Sequence, residues 1–374
     1  MGQRMDKTLF DHLLITRFSY RGADCCSVEI DPLDERRLNK RFEIFEAVCL
    51  PSVLSQRERN FNWILIIDAR LPSMFRDRLD LLISEHAFIH LYIYEPGTRI
   101  ETVSWLTGYL SPLADYILTT ALDDDDALCA SYVKTLHEHI RTLESADALP
   151  DLKVFGCTKA IQWDYYPARQ APLGYLKPWL RNRGTAGAFP LQSGFTAFIR
   201  KGRLDFSSYY FWHSLGDLFL IDDTEFDRLA VSTRSKIQES RDTLRTSVIE
   251  SGLDWNRVCA EGAFVEVLPE QPCVLMVNTM TNLQRGRLFE YQDRRQPVIN
   301  ESSFPGFGID LESARQSIPL HGCTLTNFLA SILPAYKVAF QTNAACSPVT
   351  FFDKFKRAVR TTFRCIRGML DLCK

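Results

Sequence analysis

Tyr116-Ile117-Leu118-Thr119-Thr120-Ala121-Leu122-Asp123-Asp124-Asp125-Asp126-Ala127-Leu128 is the stretch that decides the fold. Its first five residues are aromatic, aliphatic or β-branched and read as a strand. Beyond the acids, Leu128, Tyr132, Val133, Leu136, Ile140 and Leu143 recur at helical spacing, which predicts a helix over residues 127–145. Four carboxylates thus close a strand just ahead of a helix. In open α/β sheets, ligands bind outside the carboxyl ends of strands. Four adjacent anions repel one another, and a cation is the direct compensation. Oxygen ligands with no His or Cys nearby suit Mg²⁺ or Mn²⁺. A solvated, over-capped helix start competes with this, because Asp is a good N-cap and acids favour the helix dipole. Four acids exceed what capping requires.

Working upstream, His12 to Phe18 predicts a first strand. Asp31 to Leu50 predicts a helix with Leu38, Phe42, Phe45, Val48 and Cys49 on one stripe, broken or kinked at Pro51. Asn62 to Asp68 is a continuous apolar run, as expected of a strand buried on both faces. Arg76 to His86 predicts a helix, Ile89 to Tyr94 a strand, and Trp105 to Leu113 a helix. Such alternation predicts an α/β fold with a mostly parallel central sheet and crossover helices.

Downstream, Leu152 to Trp163 predicts one strand and Asp164 to Pro190 a loop-like stretch. Phe195 to Arg200 and Pro272 to Asn278 predict strands; Thr224 to Ser235 and Leu253 to Arg257 predict short helical pieces. The expected organisation is one domain over 10–345, in two halves (10–145 and 146–300), and a tail over 346–374. In that tail Phe352, Phe355, Val359, Phe363, Ile366 and Leu370 keep 3–4 spacing. Lys354, Lys356, Arg357, Arg360, Arg364, Arg367 and Lys374 interleave with them. A basic amphipathic helix results, suited either to anionic lipid or to docking on the main domain.

The bulk properties exclude several classes. A formal charge of −2 over 374 residues gives no global attraction to nucleic acid. No apolar run is long enough for a transmembrane helix, and the polar start lacks a signal-peptide core. A cytoplasmic location is therefore expected, peripheral at the inner face of the membrane if the tail binds lipid. Eleven Cys without a CxxC pair, including Cys49, Cys129, Cys157, Cys259 and Cys273 in apolar surroundings, predict buried free thiols.

Several segments together resemble a rhamnosyltransferase family assigned to the GT-A glycosyltransferase fold. They are Ile15-Thr16-Arg17-Phe18; Arg41-Phe42 with Phe45-Glu46 and Cys49-Leu50-Pro51-Ser52; Gln56; Phe61-Asn62-Trp63; Asp68 with Pro72; and Thr119 to Leu128. The chain departs from the family at Ala121, where a basic residue is usual. The resemblance covers residues 10–290 and implies a nucleotide-sugar donor, a divalent metal and a carbohydrate acceptor, with 10–145 as the nucleotide-binding half and 146–300 as the acceptor-binding half. It makes Asp123 and Asp125 a DxD-type metal pair with Asp126 as a third carboxylate. Asp124, pointing elsewhere along an extended backbone, is assigned to the donor. Asp68, at a strand end, is expected on the nucleoside or as a turn cap. Thr16 and Arg17, placed after the first strand, are expected on the nucleotide. Arg41 is expected there too, unless it pairs only with Glu43 or Glu46. A family His after the late strand is replaced here by Asn278, followed by Asn282.

An inverting transfer needs a general base. Asp164, Asp217 and Asp223 are the candidates carried forward, with Asp222 and Glu225 beside them and an N-cap as the plain alternative for 222–225. His213, among aromatics, is a ligand or a packing residue. Lys177, Arg181 and Arg183 beside Trp179 suit a diphosphate and a sugar face, or an ordinary solvated loop. The expected activity is a metal-dependent transfer of rhamnose or another hexose to a polysaccharide or lipid-linked glycan. A nucleotidyltransferase and a non-catalytic Ca²⁺- or glycan-binding protein are the alternatives.

Overall fold

The computed structural model describes residues 9–19, 31–95, 97–164, 179–184, 193–210, 231–262, 264–278 and 305–309. The strands β1 (Phe10–Phe18), β2 (Asn62–Asp68), β3 (Ile89–Tyr94) and β4 (Tyr116–Asp123) run parallel in the spatial order β3-β2-β1-β4. The chain steps outward from β1 to β2 and β3, then crosses to the other side of β1 to lay down β4. The order therefore reverses between β1 and β4, and such a reversal opens a crevice at the carboxyl ends of the strands. Beyond β4 the sheet continues with β9 (Thr196–Arg200), β6 (Leu152–Gly156) and β10 (Val265–Glu266). Only β9 among these seven runs antiparallel to its neighbours. The sheet is mixed and mostly parallel, the α/β class expected, and it extends across the 145/146 boundary.

Both faces of this sheet are covered, which explains the unbroken apolar runs. Along β2, Trp63, Leu65 and Ile67 enter one core cluster, while Ile64 and Ile66 enter the other. Fully burying a large apolar side chain contributes about 1.5–3 kcal/mol, so each alternate residue holds a different layer to the sheet. Asp34 caps the helix α1 (Glu35–Ile44), accepting from Arg37 N at 3.0 Å. The stripe Leu38, Phe42, Phe45, Val48 and Cys49 is fully buried. Pro51 does not end this segment. A widened π turn over Phe45–Cys49, with Leu50 N bonded to Phe45 O five residues back, leads into α2 (Leu50–Leu54). Pro51 has no N–H to offer the preceding turn, and the wider turn absorbs that loss.

The other departures cluster where a second sheet intervenes. Its order is β5 (Asp126–Leu128), β11 (Val274–Asn278), β7 (Lys159–Asp164), β8 (Trp179–Gly184). The predicted strand 152–163 breaks at Cys157-Thr158, leaving β6 in the large sheet and β7 in the small one. Residues 179–184, read as loop, form β8. Leu128, read as the start of a helical stripe, belongs to β5, and helix α4 (Tyr132–Ser145) begins four residues later. Upstream, between α2 and β4 in the chain, lie α3 (Ser73–Ile83) and a 3₁₀ segment, Ser104–Tyr109, in place of the predicted helix 105–113. Helices α5 (Val231–Glu250) and α6 (Trp255–Glu261) replace the two short pieces predicted there.

Cys49 and Cys129 are buried free thiols and Cys259 is a half-buried one. Cys157 and Cys273 are instead joined, with Cα atoms 6.4 Å apart. Their 116-residue separation hides this pairing in the sequence; the break between β6 and β7 brings them together. Among the described residues no helix is long and apolar enough to cross a membrane. The tail 346–374 lies outside the described residues.

Candidate metal–phosphate site

The four acids occupy the hand-over from one sheet to the other. Asp123 ends β4, Asp124 and Asp125 form a two-residue turn, and Asp126 opens β5. One oxygen from each of Asp123, Asp125 and Asp126 can be chosen so that all three lie within 4.8 Å of one another. Asp124 turns aside toward α1. Arg41 Nε donates to its Oδ2 at 3.2 Å and Nη2 pairs with its Oδ1. Arg41 Nη1 meets Asp125 Oδ2 at 2.6 Å.

Asp126 is held from two other elements. Ser193 Oγ donates to its Oδ2 at 2.5 Å, and Val277 N, on β11, donates to its Oδ1 at 3.3 Å. Ser193 Oγ also accepts from Asp123 N at 3.2 Å. Gly194 follows with φ +82°, a conformation glycine tolerates, and a Cβ there would stand 3.2 Å from Leu128 Cδ2. From β1, Arg17 lies in register with Asp123, its Nη2 3.6 Å from Asp123 Oδ1. The guanidinium of Arg17 stacks 4.9 Å over the ring of Tyr209, whose hydroxyl donates to Ile15 O at 3.1 Å. Beneath the run, Cys49 Sγ donates to Asp123 O at 3.6 Å.

Burial pushes the Asp126 carboxyl well above its ordinary range, and Asp125 and Asp123 push further; Ser193 and Val277 oppose. Burial also raises Asp123, against the pull of Arg17. Burial and the neighbouring acids, Asp126 and Asp125 foremost, drive the Cys49 thiol well up, so it remains a donor to the backbone. Among the described residues, the four carboxylates Asp123 to Asp126 face two guanidiniums, Arg17 and Arg41. All the donors are hard oxygens. A divalent cation such as Mg²⁺ or Mn²⁺ fits both facts.

The remaining expectations fare differently. Thr16 lies inside β1, not after it; it is fully buried and accepts from Trp63 Nε1 at 2.9 Å, so its hydroxyl braces the core. Arg41 pairs with Asp124 and Asp125, not with Glu43 or Glu46; Glu46 takes Arg78 at 2.6 Å. Asp68, 5% exposed at the end of β2, accepts from Arg70 N and Nε at 2.9 Å each and from Nη2 at 2.8 Å. It organises its own turn, as the capping alternative held. Asp164 ends β7, its backbone in register with Asn278 and Trp179, and Arg181 pairs with Gln162. Lys177, His213, Asp217, Asp222, Asp223, Glu225 and Asn282 lie outside the described residues. Sequence reasoning missed Ser193 as a contact of the acids. The only trace was a small polar residue and a glycine just ahead of a strand.

Together these features define an α/β protein with a carboxylate cluster at the switch point of its sheet. Residues 11–150 match the family described as "Putative rhamnosyl transferase", a glycosyltransferase family, as the sequence resemblance anticipated. No curated protein matches the chain by sequence. Among solved structures, S. aureus TarS 1–349 in complex with UDP-GlcNAc is similar at 8% identity and a TM-score of 0.32, over 72% of this chain and 59% of that one. The same protein with UDP is similar at 8% identity and 0.30, over 75% and 62%. Mouse xyloside xylosyltransferase 1, apo form, is similar at 11% identity and 0.30, over 73% and 99%. The chain thus spans about three fifths of the TarS chains in the first two.

Proposed function

We propose that this chain is a divalent-metal-dependent glycosyltransferase. It moves a sugar, rhamnose or another hexose, from a nucleoside-diphosphate donor to a polysaccharide or lipid-linked glycan. The observation that carries this is the convergence of the Asp123, Asp125 and Asp126 carboxylates at the carboxyl edge of β4, in a segment matching a rhamnosyl transferase family. Those three carboxylates would hold the cation, which when bound would offset the charge that builds on a leaving diphosphate. Arg17, beside Asp123, adds a fixed positive charge on the same side of the sheet for the donor phosphates. Ser193 and Val277 N fix the rotamer of Asp126, so the cluster is pre-organised. Asp68 is assigned to the nucleoside end of the donor, with Lys177 and Arg181 as further donor contacts. Asp164, Asp217 and Asp223 remain the candidates for the base that takes the acceptor proton.

The deciding experiment incubates the full chain with a panel of labelled sugar nucleotides and Mn²⁺, with and without EDTA. Release of nucleoside diphosphate that EDTA abolishes is the expected result. Pyrophosphate release instead would mark nucleotidyl transfer, and binding without turnover a non-catalytic Ca²⁺- or glycan-binding protein. Peripheral membrane contact through 351–374 has its own test, flotation with anionic liposomes. Full-length protein should float and a chain ending at Cys346 should not, since each basic residue near an anionic leaflet contributes on the order of 1 kcal/mol. Equal flotation of the two removes the tail from the membrane.

A further inference from the structure

We propose that Arg41 is the resident counter-ion of this site, and that it makes entry of a divalent cation conditional on the donor diphosphate; this rests on the metal site proposed above. Arg41 sits in the last turn of α1 and is 6% exposed. Leu38, Phe42 and Phe45, all fully buried, pin that helix against the sheet and leave the guanidinium little room to withdraw. Nε and Nη2 take the two oxygens of Asp124, which is not one of the three candidate ligands. Nη1 takes Asp125 Oδ2 at 2.6 Å, and Asp125 is one of them. Asp124 is therefore the anchor, and Asp125 is shared between a fixed cation and a mobile one.

The consequence is electrostatic. A buried guanidinium cannot lose its proton, and stripping it of a carboxylate partner is costly. Arg41 therefore stays, and its charge opposes a second cation a few ångströms away. A charge within 4–6 Å shifts proton affinity by about one to three pKa units, and a divalent ion feels the same field more strongly. A diphosphate brings negative charge and relieves the opposition. The free protein should then bind Mn²⁺ weakly, and a nucleoside diphosphate should tighten that binding.

Mn²⁺ titration of the full chain, followed by electron paramagnetic resonance, tests this with and without UDP, GDP and dTDP in turn. In the wild type at least one diphosphate should tighten Mn²⁺ binding about tenfold or more. The double variant Arg41→Gln/Asp124→Asn removes the pair and keeps Asp123, Asp125 and Asp126. It should bind Mn²⁺ alone about tenfold tighter than wild type, with a smaller gain from the diphosphate. Asp124→Asn alone transfers Arg41 to Asp125 and should weaken Mn²⁺ binding. The opposite signs separate a counter-ion from general damage, which weakens both, and circular dichroism checks that each variant is folded. Should the double variant not fold, Arg41→Gln alone also removes the fixed charge while keeping Asp123, Asp125 and Asp126, and it should likewise tighten Mn²⁺ binding. Unchanged or weaker Mn²⁺ binding in the double variant, or unchanged binding in Asp124→Asn, overturns the role of Arg41 while leaving the metal site standing. No Mn²⁺ binding by wild type even with diphosphate, together with turnover indifferent to EDTA, removes the metal site and this role with it.

Discussion

Strand β4 carries two buried polar groups, one in its middle and one at its end, and they differ in kind. At the middle, Thr120 belongs to a chain that runs His137, His12, Thr120, Thr196, Tyr132 and the carbonyl of Gly194. Its successive contacts are 2.9, 2.8, 2.6 and 3.0 Å, and then the Tyr132 hydroxyl on Gly194 O. Because Tyr132 donates at one end, the network assigns every proton: Thr196 donates to Tyr132, Thr120 to Thr196, His12 Nε2 to Thr120, and His137 Nε2 to His12 Nδ1. His137 Nδ1 is left as a bare lone pair without a hydrogen-bond partner, 4.0 Å from Glu58. The chain is neutral and closed on itself. At the end of the strand, Asp123 to Asp126 are bonded just as thoroughly, yet among the described residues four carboxylates meet two guanidiniums. Burial and displaced pKa values are common to both groups, so neither marks a ligand site by itself. What sets the second group apart is three carboxylates with oxygens within 4.8 Å of one another.

Asp125→Asn should produce the largest effect. Turnover in the presence of metal should fall by at least about 1,000-fold, roughly 4 kcal/mol in barrier. The metal-free protein should stay folded with a small shift in melting temperature, since relief of repulsion in the cluster offsets the lost Arg41 contact, and Arg41 keeps Asp124. Steady-state rates over a Mn²⁺ series, beside a thermal melt, check both; retained activity would place Asp125 with Thr120 as a structural group.

Acidification should act on the other group. Burial lowers His137 from 6.5 to about 4, against Glu58, which raises it, and with Arg141, which lowers it. Burial and His137 lower His12 as well. Both folded values lie below the unfolded ones, so their stabilisation is complete above about pH 6.5 and is lost as the pH falls toward 4. For His137 the loss across that window is on the order of 3 kcal/mol. Urea unfolding at pH 7 and 4.5 should show this slope, flattened in His137→Gln, whose Mn²⁺ affinity at pH 7 should match wild type. An altered Mn²⁺ affinity would couple two groups held here to be independent.

Ser193→Ala sits between the two groups, since Ser193 bonds the acids and Gly194 accepts the neutral chain. Loss of a hydrogen bond to a charged partner costs about 1.5–3 kcal/mol. Mn²⁺ binding should weaken about tenfold, with Ser193→Thr restoring most of it; a stability loss without any change in Mn²⁺ binding would assign Ser193 to the core alone. Asp68→Ala should have the smallest effect. Its partner Arg70 is 61% exposed, so solvent screens the pair. The donor KM should rise a few-fold at constant kcat, because interactions equal in ground and transition states do not change kcat. A fall in kcat would move Asp68 to the reacting bond.

The first half of the fold was legible because periodicity reports local burial. Asn62–Asp68 and Ile89–Tyr94 coincide with β2 and β3, and the Asp run lies at a strand end as read. What escaped depends on partners distant in sequence. Leu128 fits a helical stripe and a strand equally well; pairing with Val274 on β11 decides it. Cys157 meets Cys273, and Ser193 meets Asp126, only after two sheets are assembled. Thr16 and Arg17 illustrate the same limit at close range. They are adjacent in one motif, but the pleat sends Thr16 to Trp63 in the core and Arg17 to Asp123 at the edge.

The change of sheet between Asp123 and Asp126 has a mechanical consequence. Asp123 is fastened to the large sheet through β1 and Asp126 to the small one through β11. An ion gripping both would act as a rivet between two plates otherwise joined here by a two-residue strap. Stiffness would then rise on loading and relax on release, which would let departure of the nucleotide product loosen the joint that arrival of the donor had tightened.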